Sequence, residues 1–344
     1  MNNKVAWIGR IDESFESIAA ALDVGIAEVG HMPVVGQVWA VKLNLTYPKY
    51  LPGVVNSPTF IEALCRWGRE RRVKLIFIEG DGGNGSYSAQ ETFDGNGVTD
   101  LARRYDMRCA SVSEKPWEWR VTDVGGHAIR LPYSPFFRRR EYDRFVTAPV
   151  FKNHIFTIVS LGMKNLWGCI PDPYRMYYHH VLDEGIVALS KELLPDFSVF
   201  DGLVALRGRG PMDGNPVDLN AIMVTSDVGT GEAAAVAVMG LALEKIRHLR
   251  LARQEGLVPP LDKLVWATDP SPFKRSDFQV ERSWLNWLSI GLARIPKLQR
   301  AIYHSSLSPA IYGVVNRLRP DSAQKDLSVA SAGNRRGLRR RRDV

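Results

Sequence analysis

Short apolar runs alternate with amphipathic segments through the first half of the chain. Strand-like runs lie at 5–8, 38–43, 73–78 and 108–112, and helical spacing of apolar residues occurs at 14–22, after Ser57-Pro58 and at 98–105. The run at 73–78 is bounded by Gly80, which is typical of a strand buried on both faces. This alternation predicts an α/β fold: a mostly parallel sheet with helices on both faces.

The middle of the chain continues this pattern with one interruption. Alternating residues around Val124-Gly125-Gly126-His127 predict a β-hairpin on the surface. We expect further strands at 144–150, 197–205 and 221–224, and an alanine-rich helix at 232–243. Ser226-Asp227 precedes that helix and has the residue types that cap a helix start.

The composition changes after about residue 270. An amphipathic segment contains Trp284, Trp287 and Leu288, a second one spans 310–318, and the chain beyond Pro320 is polar and then arginine-rich. We therefore expect three parts: an α/β domain of one or two lobes at 1–270, an amphipathic helical extension at 271–320 and a disordered basic tail at 321–344.

The net charge of +8 belongs mostly to this tail, because residues 335–344 contain six arginines and one aspartate. The rest of the chain is nearly balanced, and no aromatic residues are interleaved with the tail arginines, so nucleic acid is not an expected partner. An amphipathic segment followed by a basic one supplies the two signals that attachment to an anionic membrane surface requires. Segment 283–344 is the candidate for that contact, and a solvated tail is the alternative.

The sequence lacks membrane-spanning and signal-peptide patterns and has few cysteines, and these features bear on where the protein is located and on whether it contains disulfides. No run of eighteen apolar residues and no signal-peptide stretch occurs, so we expect a cytoplasmic protein, with the inner face of the membrane as its attachment surface. The cysteines Cys65, Cys109 and Cys169 are odd in number and form no Cys-x-x-Cys pair. Neither a disulfide framework nor a cysteine-ligated iron–sulfur cluster is expected.

Polar residues cluster where several predicted strands end. The candidates that bind a substrate or cofactor are Lys42, Asn44, Glu79, Asp81, Gly83, Asn165 and Asp201. Ligands of open α/β sheets lie at the carboxyl ends of the strands, which is where most of these residues fall. Gly83 belongs to the glycine-rich loop 80–86, whose amides could contact a ligand, although a flexible turn is the alternative.

Residues 152–180 contain the candidate catalytic groups Lys152, His154 and Lys164. They flank the apolar run 155–161, and amines and imidazoles are costly to bury unless they bind something or become neutral. Repulsion from Lys152 and desolvation would depress the pKa of Lys164 and make its amine nucleophilic. The alternative is a capped helix with solvated lysines. Of the pair His179-His180, either ring could bind a transition metal, or the pair could lie at an interface.

The chain resembles the domain-of-unknown-function family 362 over roughly residues 38–255. The segments that carry the resemblance are Val41-Lys42-Leu43-Asn44-Leu45, Ile78-Glu79-Gly80-Asp81, Lys152-Asn153-His154, Lys164-Asn165-Leu166-Trp167-Gly168, Val199-Phe200-Asp201-Gly202, Gly208-Arg209-Gly210-Pro211, Ser226-Asp227 and Val238-Met239-Gly240. Glu232 stands where the family pattern has Asp. The resemblance implies a fold but no settled activity.

A second resemblance, to the nickel-pincer lactate racemases, bears on chemistry. His154, Lys164 and His180 have the spacing of that family's acid/base histidine, cofactor-bonded lysine and metal-binding histidine. The resemblance implies that Lys164 anchors a nickel-pincer-like cofactor and that His180 ligates a metal. The racemase arginine before the lysine is absent, since this chain has Gly162-Met163-Lys164.

From these residues and resemblances we expect one of two functions. The first is an enzyme of isomerase or oxidoreductase type that acts on a small, oxygen-rich anionic substrate, a carboxylate or hydroxy acid, with a metal or metal–organic cofactor near Lys164 and His180. The second is a non-catalytic protein that binds an anionic ligand or serves as a scaffold at the membrane surface.

Overall fold

The computed structural model describes residues 4–82 and 85–304. Its strands are β1 (Val5–Arg10), β2 (Val38–Lys42), β3 (Lys74–Glu79), β4 (Arg108–Ser111), β5 (Glu118–Val124), β6 (His127–Tyr133), β7 (Arg144–Thr147), β8 (Val150–His154), β9 (Ile158–Ser160), β10 (Phe197–Arg207), β11 (Asn215–Thr225) and β12 (Val265–Trp266).

The α-helices of the described residues are α1 (Phe15–Glu28), α2 (Pro58–Glu70), α3 (Ala89–Gly95), α4 (Val98–Tyr105), α5 (Pro135–Arg139), α6 (Gly162–Asn165), α7 (Leu182–Leu193), α8 (Val228–Val238), α9 (Arg247–Gln254), α10 (Trp284–Ala293) and α11 (Pro296–His304). Short 3-10 helices span Leu166–Cys169, Arg175–Val181, Leu243–Lys245, Leu261–Lys263 and Ser271–Phe273.

Ten of the strands form one sheet in the order β12–β1–β11–β10–β7–β2–β3–β4, with β8 paired to β10 and β9 paired to β8. Within the described chain, six of the neighbouring pairs are parallel and three are antiparallel. The antiparallel pairs all involve β9 or β11. The mostly parallel sheet that the sequence predicts is therefore confirmed.

Both faces of the sheet are covered by helices, as predicted. In β3, Leu75 and Phe77 pack into one core with the apolar residues of α1 and α2. Ile76 and Ile78 point the other way, into a second core that contains residues of α7 and α8. Alternate side chains of a strand point to opposite faces, so a continuous apolar run such as 75–78 requires a core on each side.

The predicted β-hairpin is formed by β5 and β6. Gly125 and Gly126 both have positive φ, 59° and 80°, as the tight turn between such strands requires. Thr122 donates a hydrogen bond to Glu192 of α7 at 2.6 Å, while Trp119 on the other face is exposed. The hairpin is thus packed against α7 by one face.

Two predicted elements have different bounds in the structure. The prediction of a single strand at 144–150 is wrong, because Ala148-Pro149 separates β7 from β8, and proline has no amide hydrogen to donate. The motif Lys152-Asn153-His154 therefore lies inside β8 rather than after a strand. Helix α8 begins at Val228, one turn earlier than predicted, and Asp227 caps it by accepting a hydrogen bond from the Thr230 amide at 2.9 Å.

The predicted amphipathic extension contains α10 and α11. A capping box of Ser283 and Asn286 fixes the start of α10. Among the helices that the structure describes, none is long and apolar enough to cross a membrane. The second amphipathic segment at 310–318 and the basic tail at 321–344 lie outside the described residues.

Two glycines give opposite expectations for substitution by alanine. A Cβ on Gly229 at the start of α8 would lie 1.8 Å from the Leu257 carbonyl oxygen, whereas nothing lies within 4 Å of a Cβ on Gly291 in α10. We expect Gly229→Ala to lower the free energy of unfolding by about 1–3 kcal/mol or more, because backbone must move. Gly291→Ala should be neutral or stabilising by up to about 1 kcal/mol. Urea titrations check both values, and equal effects would contradict the packing described.

Candidate functional site

A buried ion pair joins the ends of β2 and β3. Lys42 Nζ lies 2.6 Å from Glu79 Oε1 and also donates to the Leu43 carbonyl at 2.5 Å. The same carboxyl oxygen accepts from the Leu45 amide at 3.0 Å. A Cβ at residue 168 would lie 3.1 Å from the Lys42 amine, so Gly168 allows the backbone to pass directly over the pair. The pair is closed from all sides.

Lys152 of β8 is buried beside this pair. Its amine donates to Asn44 Oδ1 at 2.6 Å and to the Val54 carbonyl at 2.7 Å. Burial lowers the pKa of Lys152 to about 7, and the positive charges of Lys164 and Lys42 add to this effect. Lys152 therefore links β8 to the segment that follows β2.

Asp201 of β10 holds the other end of that segment. Its carboxylate accepts from the amides of Ser57 at 2.7 Å and Leu203 at 3.2 Å. The Asn44 amide in turn donates to Asn56 Oδ1 at 2.6 Å. Burial raises the pKa of Asp201 to about 6, and these hydrogen bonds oppose the rise. Segment 43–57 is consequently clamped to the sheet at both of its ends.

Helix α6, which carries Lys164, is positioned by two buried polar side chains. Asn165 Nδ2 donates to the Lys42 carbonyl and to Thr147 Oγ1, both at 3.1 Å. Glu232 Oε1 accepts from the Met163 amide at 2.6 Å, while its second oxygen has no partner among the described residues. Burial raises the pKa of Glu232 to about 8, so this carboxyl holds a proton at neutral pH.

The Lys164 amine differs from the other two buried lysines. It lies 5.6 Å from the centre of the Trp167 ring, and it forms no hydrogen bond or ion pair with any residue that the structure describes. Burial lowers its pKa to about 7, Arg175 adds to the shift and Asp183 opposes it. The residue as a whole is half-buried, and burial of its amine is the main cause of the lowered pKa.

His154 ends β8 and is buried. Its Nδ1 accepts from the Phe156 amide at 3.1 Å, which leaves the proton of the neutral ring on Nε2. Burial lowers the pKa of His154 well below its ordinary value, and the charge of Lys164 acts in the same direction. His154 is therefore a neutral hydrogen-bond donor beside Lys164.

The structure brings His179, rather than its neighbour His180, against the aromatic rings beside Lys164. The His179 ring lies 5.3 Å from that of Phe156 and 5.9 Å from that of Trp167, and its Nδ1 has no partner among the described residues. Burial lowers its pKa to about 3. His180 is half-buried, and its Nδ1 donates to the Tyr177 carbonyl at 2.8 Å. Lys164, His154 and His179 thus surround the Phe156 and Trp167 rings.

Sequence reasoning missed one further histidine. His248 of α9 is fully buried, neither ring nitrogen has a hydrogen bond within the described chain, and Nδ1 lies 3.8 Å from Asp183 Oδ1. Burial and the charge of Lys164 lower its pKa to about 3. The sequence contains a signal for it, because His248, Leu249 and Ala252 form the buried stripe of a helix whose other residues, except Leu251, are polar.

Asp81 lies apart from these groups. Its Oδ1 accepts from the Ala89 amide at the start of α3, and its own amide donates to Ser113 Oγ, both at 2.9 Å. Gly83 lies outside the described residues. The structure therefore places Asp81 at a helix start, where it holds the loop.

No group of three or more His, Cys, Asp or Glu side chains in the described part of the chain could hold a metal ion. Cys65, Cys109 and Cys169 are free thiols. The described side chains therefore do not fit a metal ion that is bound by protein ligands alone.

A family model described as "Domain of unknown function (DUF362)" matches residues 40–237, which contain the paired lysines, α6 and both histidines around Phe156 and Trp167. The chain belongs to this family, as the sequence motifs predict. His248 and the α10–α11 extension lie beyond the matched segment.

One curated relative is the "Thylakoid-associated protein sll1697" of Synechocystis sp., which is 27% identical over 131 residues. The match covers 36% of this chain and 41% of the relative, so the chain spans less than half of that protein's length. No solved structure matches the chain.

The Lys42–Glu79 pair predicts a specific order of stabilities. Lys42→Met leaves a buried carboxylate unpaired and should lower the free energy of unfolding by about 3–5 kcal/mol. Lys42→Met/Glu79→Gln should be the more stable of the two variants, because it removes that charge and keeps an acceptor for the Leu45 amide. Urea titration at neutral pH measures both.

The exposed pair Arg103–Asp100 supplies the control. Asp100→Asn should change the free energy of unfolding by less than about 0.5 kcal/mol. A double variant less stable than Lys42→Met would show that Glu79 does not need its ammonium partner.

Proposed function

We propose that the chain is an enzyme that moves a proton at a carbon atom of a small carboxylate or hydroxy acid. The observation that carries this proposal is the Lys164 amine, which lacks a partner among the described residues and has a pKa lowered by burial to about 7. A base with such a pKa is neutral in about half of the molecules near pH 7 and is suited to proton transfer there.

The neighbouring groups support this role for Lys164. A proton on a carbon next to a carboxylate leaves more readily when donors stabilise the negative charge that develops on oxygen. His154 offers Nε2–H, because its Nδ1 is occupied by the Phe156 amide. His179 is also neutral, and its unpartnered Nδ1 is available to a ligand oxygen. The Lys164 amine is then the base, and the two histidines hold the substrate oxygens.

The paired residues have a different part in this proposal. Lys42, Glu79, Lys152 and Asp201 are buried and use their polar atoms within the protein. They support α6, because Asn165 of that helix donates a hydrogen bond to the Lys42 carbonyl. Burial and the positive charge of Arg175, rather than Lys152, lower the pKa of the Lys164 amine.

The racemase resemblance adds a cofactor to the proposal. Lys164 is the amine that would anchor a metal–organic group, and His180 is the expected ligand from the sequence spacing. The proton transfer described above is assigned to the chain's own residues alone.

The test is deuterium uptake from D2O into a panel of 2-hydroxy acids and simple carboxylates, followed by NMR. The exchange rate should rise with pH through about 7, as Lys164 loses its proton. Lys164→Ala and Lys164→Arg should each reduce the rate at least about 100-fold, because arginine remains protonated.

The exposed Lys245 provides a matched control, and Lys245→Ala should exchange at the wild-type rate. Exchange that is insensitive to Lys164→Arg, or the absence of exchange for every acid of the panel, would refute the assignment.

A second function, attachment to a membrane surface, is favoured by α10. Five of its large apolar side chains are exposed by 41–73%: Trp284, Leu285, Trp287, Leu288 and Leu292. Exposed apolar patches of this kind mark contact with a protein or membrane. Lys297 and Arg300 follow on α11, are exposed and form no ion pair with a described residue. The relative named as thylakoid-associated agrees with such a location.

Vesicle flotation tests this second function. The full chain should float with vesicles rich in phosphatidylserine and less with phosphatidylcholine alone, because both apolar and basic groups contribute. Trp284→Ala/Trp287→Ala should lower the bound fraction severalfold. Trp119→Ala, which removes an exposed tryptophan from the hairpin, is the control and should float normally. Equal loss in both variants would argue against α10 as the contact.

A further inference from the structure

A cleft lies between α10 and the 3-10 helix that carries His179 and His180. It has a volume of about 80 Å³. The residues that line it are Phe156, His179, His180, Leu182, Asp183, Arg247, Ile290, Ala293 and Arg294. Since His179 and Phe156 also border the Lys164 site, the cleft and the site share a wall. Ile290 and Ala293 are the buried residues of α10 and close the cleft from the outside.

The polar groups of the cleft favour an anion. Arg294 is exposed and has no ion pair among the described residues, and His179 Nδ1 is buried without a partner. Arg247 contacts both Asp183 at 3.4 Å and Glu184. Asp183 is the one acid among the described residues that line the cleft; Arg247 contacts its carboxylate, and the charge of Arg294 acts on it without forming an ion pair. A positive guanidinium and an imidazole donor are thus left for a ligand oxygen.

The remaining lining is apolar and leads outward along α10. Phe156, Leu182 and Ile290 provide the inner apolar surface. At the mouth, Arg294 stands between Leu292 and Ile295, which are 41% and 46% exposed. An apolar chain that leaves the cleft past Arg294 therefore meets exposed apolar side chains rather than water. The cleft itself has room for a small anionic group only.

We propose that this cleft binds the anionic head of an amphiphile, a single alkyl chain that ends in a carboxylate or phosphate, and that the chain lies along α10. This inference rests on the proposed function, since it names the class of acid that would bind next to the Lys164 site, with His179 and Phe156 shared between the two. The two faces of α10 then have different roles. The buried face closes the cleft. The exposed face contacts the alkyl chain of the ligand and the membrane that supplies it.

Binding is tested by calorimetry with full-length protein and ligands below their micelle concentrations. Decanoate and decyl phosphate are the probes, and acetate, inorganic phosphate and decanol are the comparisons. We expect either amphiphile to bind at least about tenfold more tightly than the matching small anion or decanol, because charge and apolar surface both contribute. The two probes together show whether carboxylate or phosphate is preferred.

Two matched pairs of variants locate the ligand. Ala293→Phe fills the cleft, whereas Ala20→Phe places the same ring at an exposed position of α1, which packs on the other face of the sheet. Arg294→Gln removes the cleft guanidinium, and Arg300→Gln removes an exposed charge from α11. Ala293→Phe and Arg294→Gln should each weaken amphiphile binding about tenfold or more, and their partners should change it less than about twofold. Arg294→Gln lies at an exposed position, so its result does not depend on repacking.

The outcomes separate this inference from the proposed function. Equal binding of acetate and decanoate, or equal effects within a variant pair, overturns the amphiphile site even when Lys164 catalyses exchange. Conversely, Lys164→Arg should leave decanoate binding within about twofold while it abolishes deuterium uptake. Selective, Arg294-dependent binding without any exchange would support the cleft and refute the catalytic role of Lys164.

Discussion

Four charged side chains are buried at one edge of the sheet, and the rest of the site depends on their being paired there: Lys42, Glu79, Lys152 and Asp201. Their partners are mostly backbone groups of segment 43–57 and each other. A buried charge without a partner lowers the stability of a protein by several kcal/mol. Detaching segment 43–57 from the sheet would leave these side chains without partners and would therefore destabilise the fold. The carbonyl of Lys42 in turn holds Asn165, and through it the helix that bears Lys164.

Pairing also separates the supporting residues from the reactive ones. The amines of Lys42 and Lys152 are satisfied by oxygen atoms of the protein, whereas Lys164 has none among the described residues. The same contrast holds for His179 Nδ1 and for both ring nitrogens of His248, which lack partners among the described residues. Buried polar groups are nearly always hydrogen-bonded, so a concentration of exceptions around one lysine points to a place that a ligand completes. The exposed fraction of a side chain alone does not separate the buried groups that have partners from those that have none.

The sequence predicts the sheet well because apolar runs with period two or with no polar interruption are strong signals. It predicts the site only in part. His154 and Lys164 do lie together, but the spacing pointed to His180, and the structure brings His179 to the aromatic rings. In a 3-10 helix successive side chains differ by about 120° in direction, so adjacent histidines face different neighbours. Which of the two histidines faces the aromatic rings is decided by how the helix packs against the rest of the protein. His248 lies far along the chain, and its approach to Asp183 depends on how α7 and α9 pack, which no local pattern shows.

The position of β1 has a consequence for biosynthesis. Its hydrogen-bonded neighbours are β11 and β12, and the Val5 amide donates to Ser226, 221 residues later. A nascent polypeptide emerging from the ribosome would expose β1 with both edges bare, while β2, β3 and β4 could already associate. Unpaired strand edges are prone to aggregate, and such distant pairings form slowly. During translation β1 therefore keeps both edges unpaired until β11 and β12 have been synthesised.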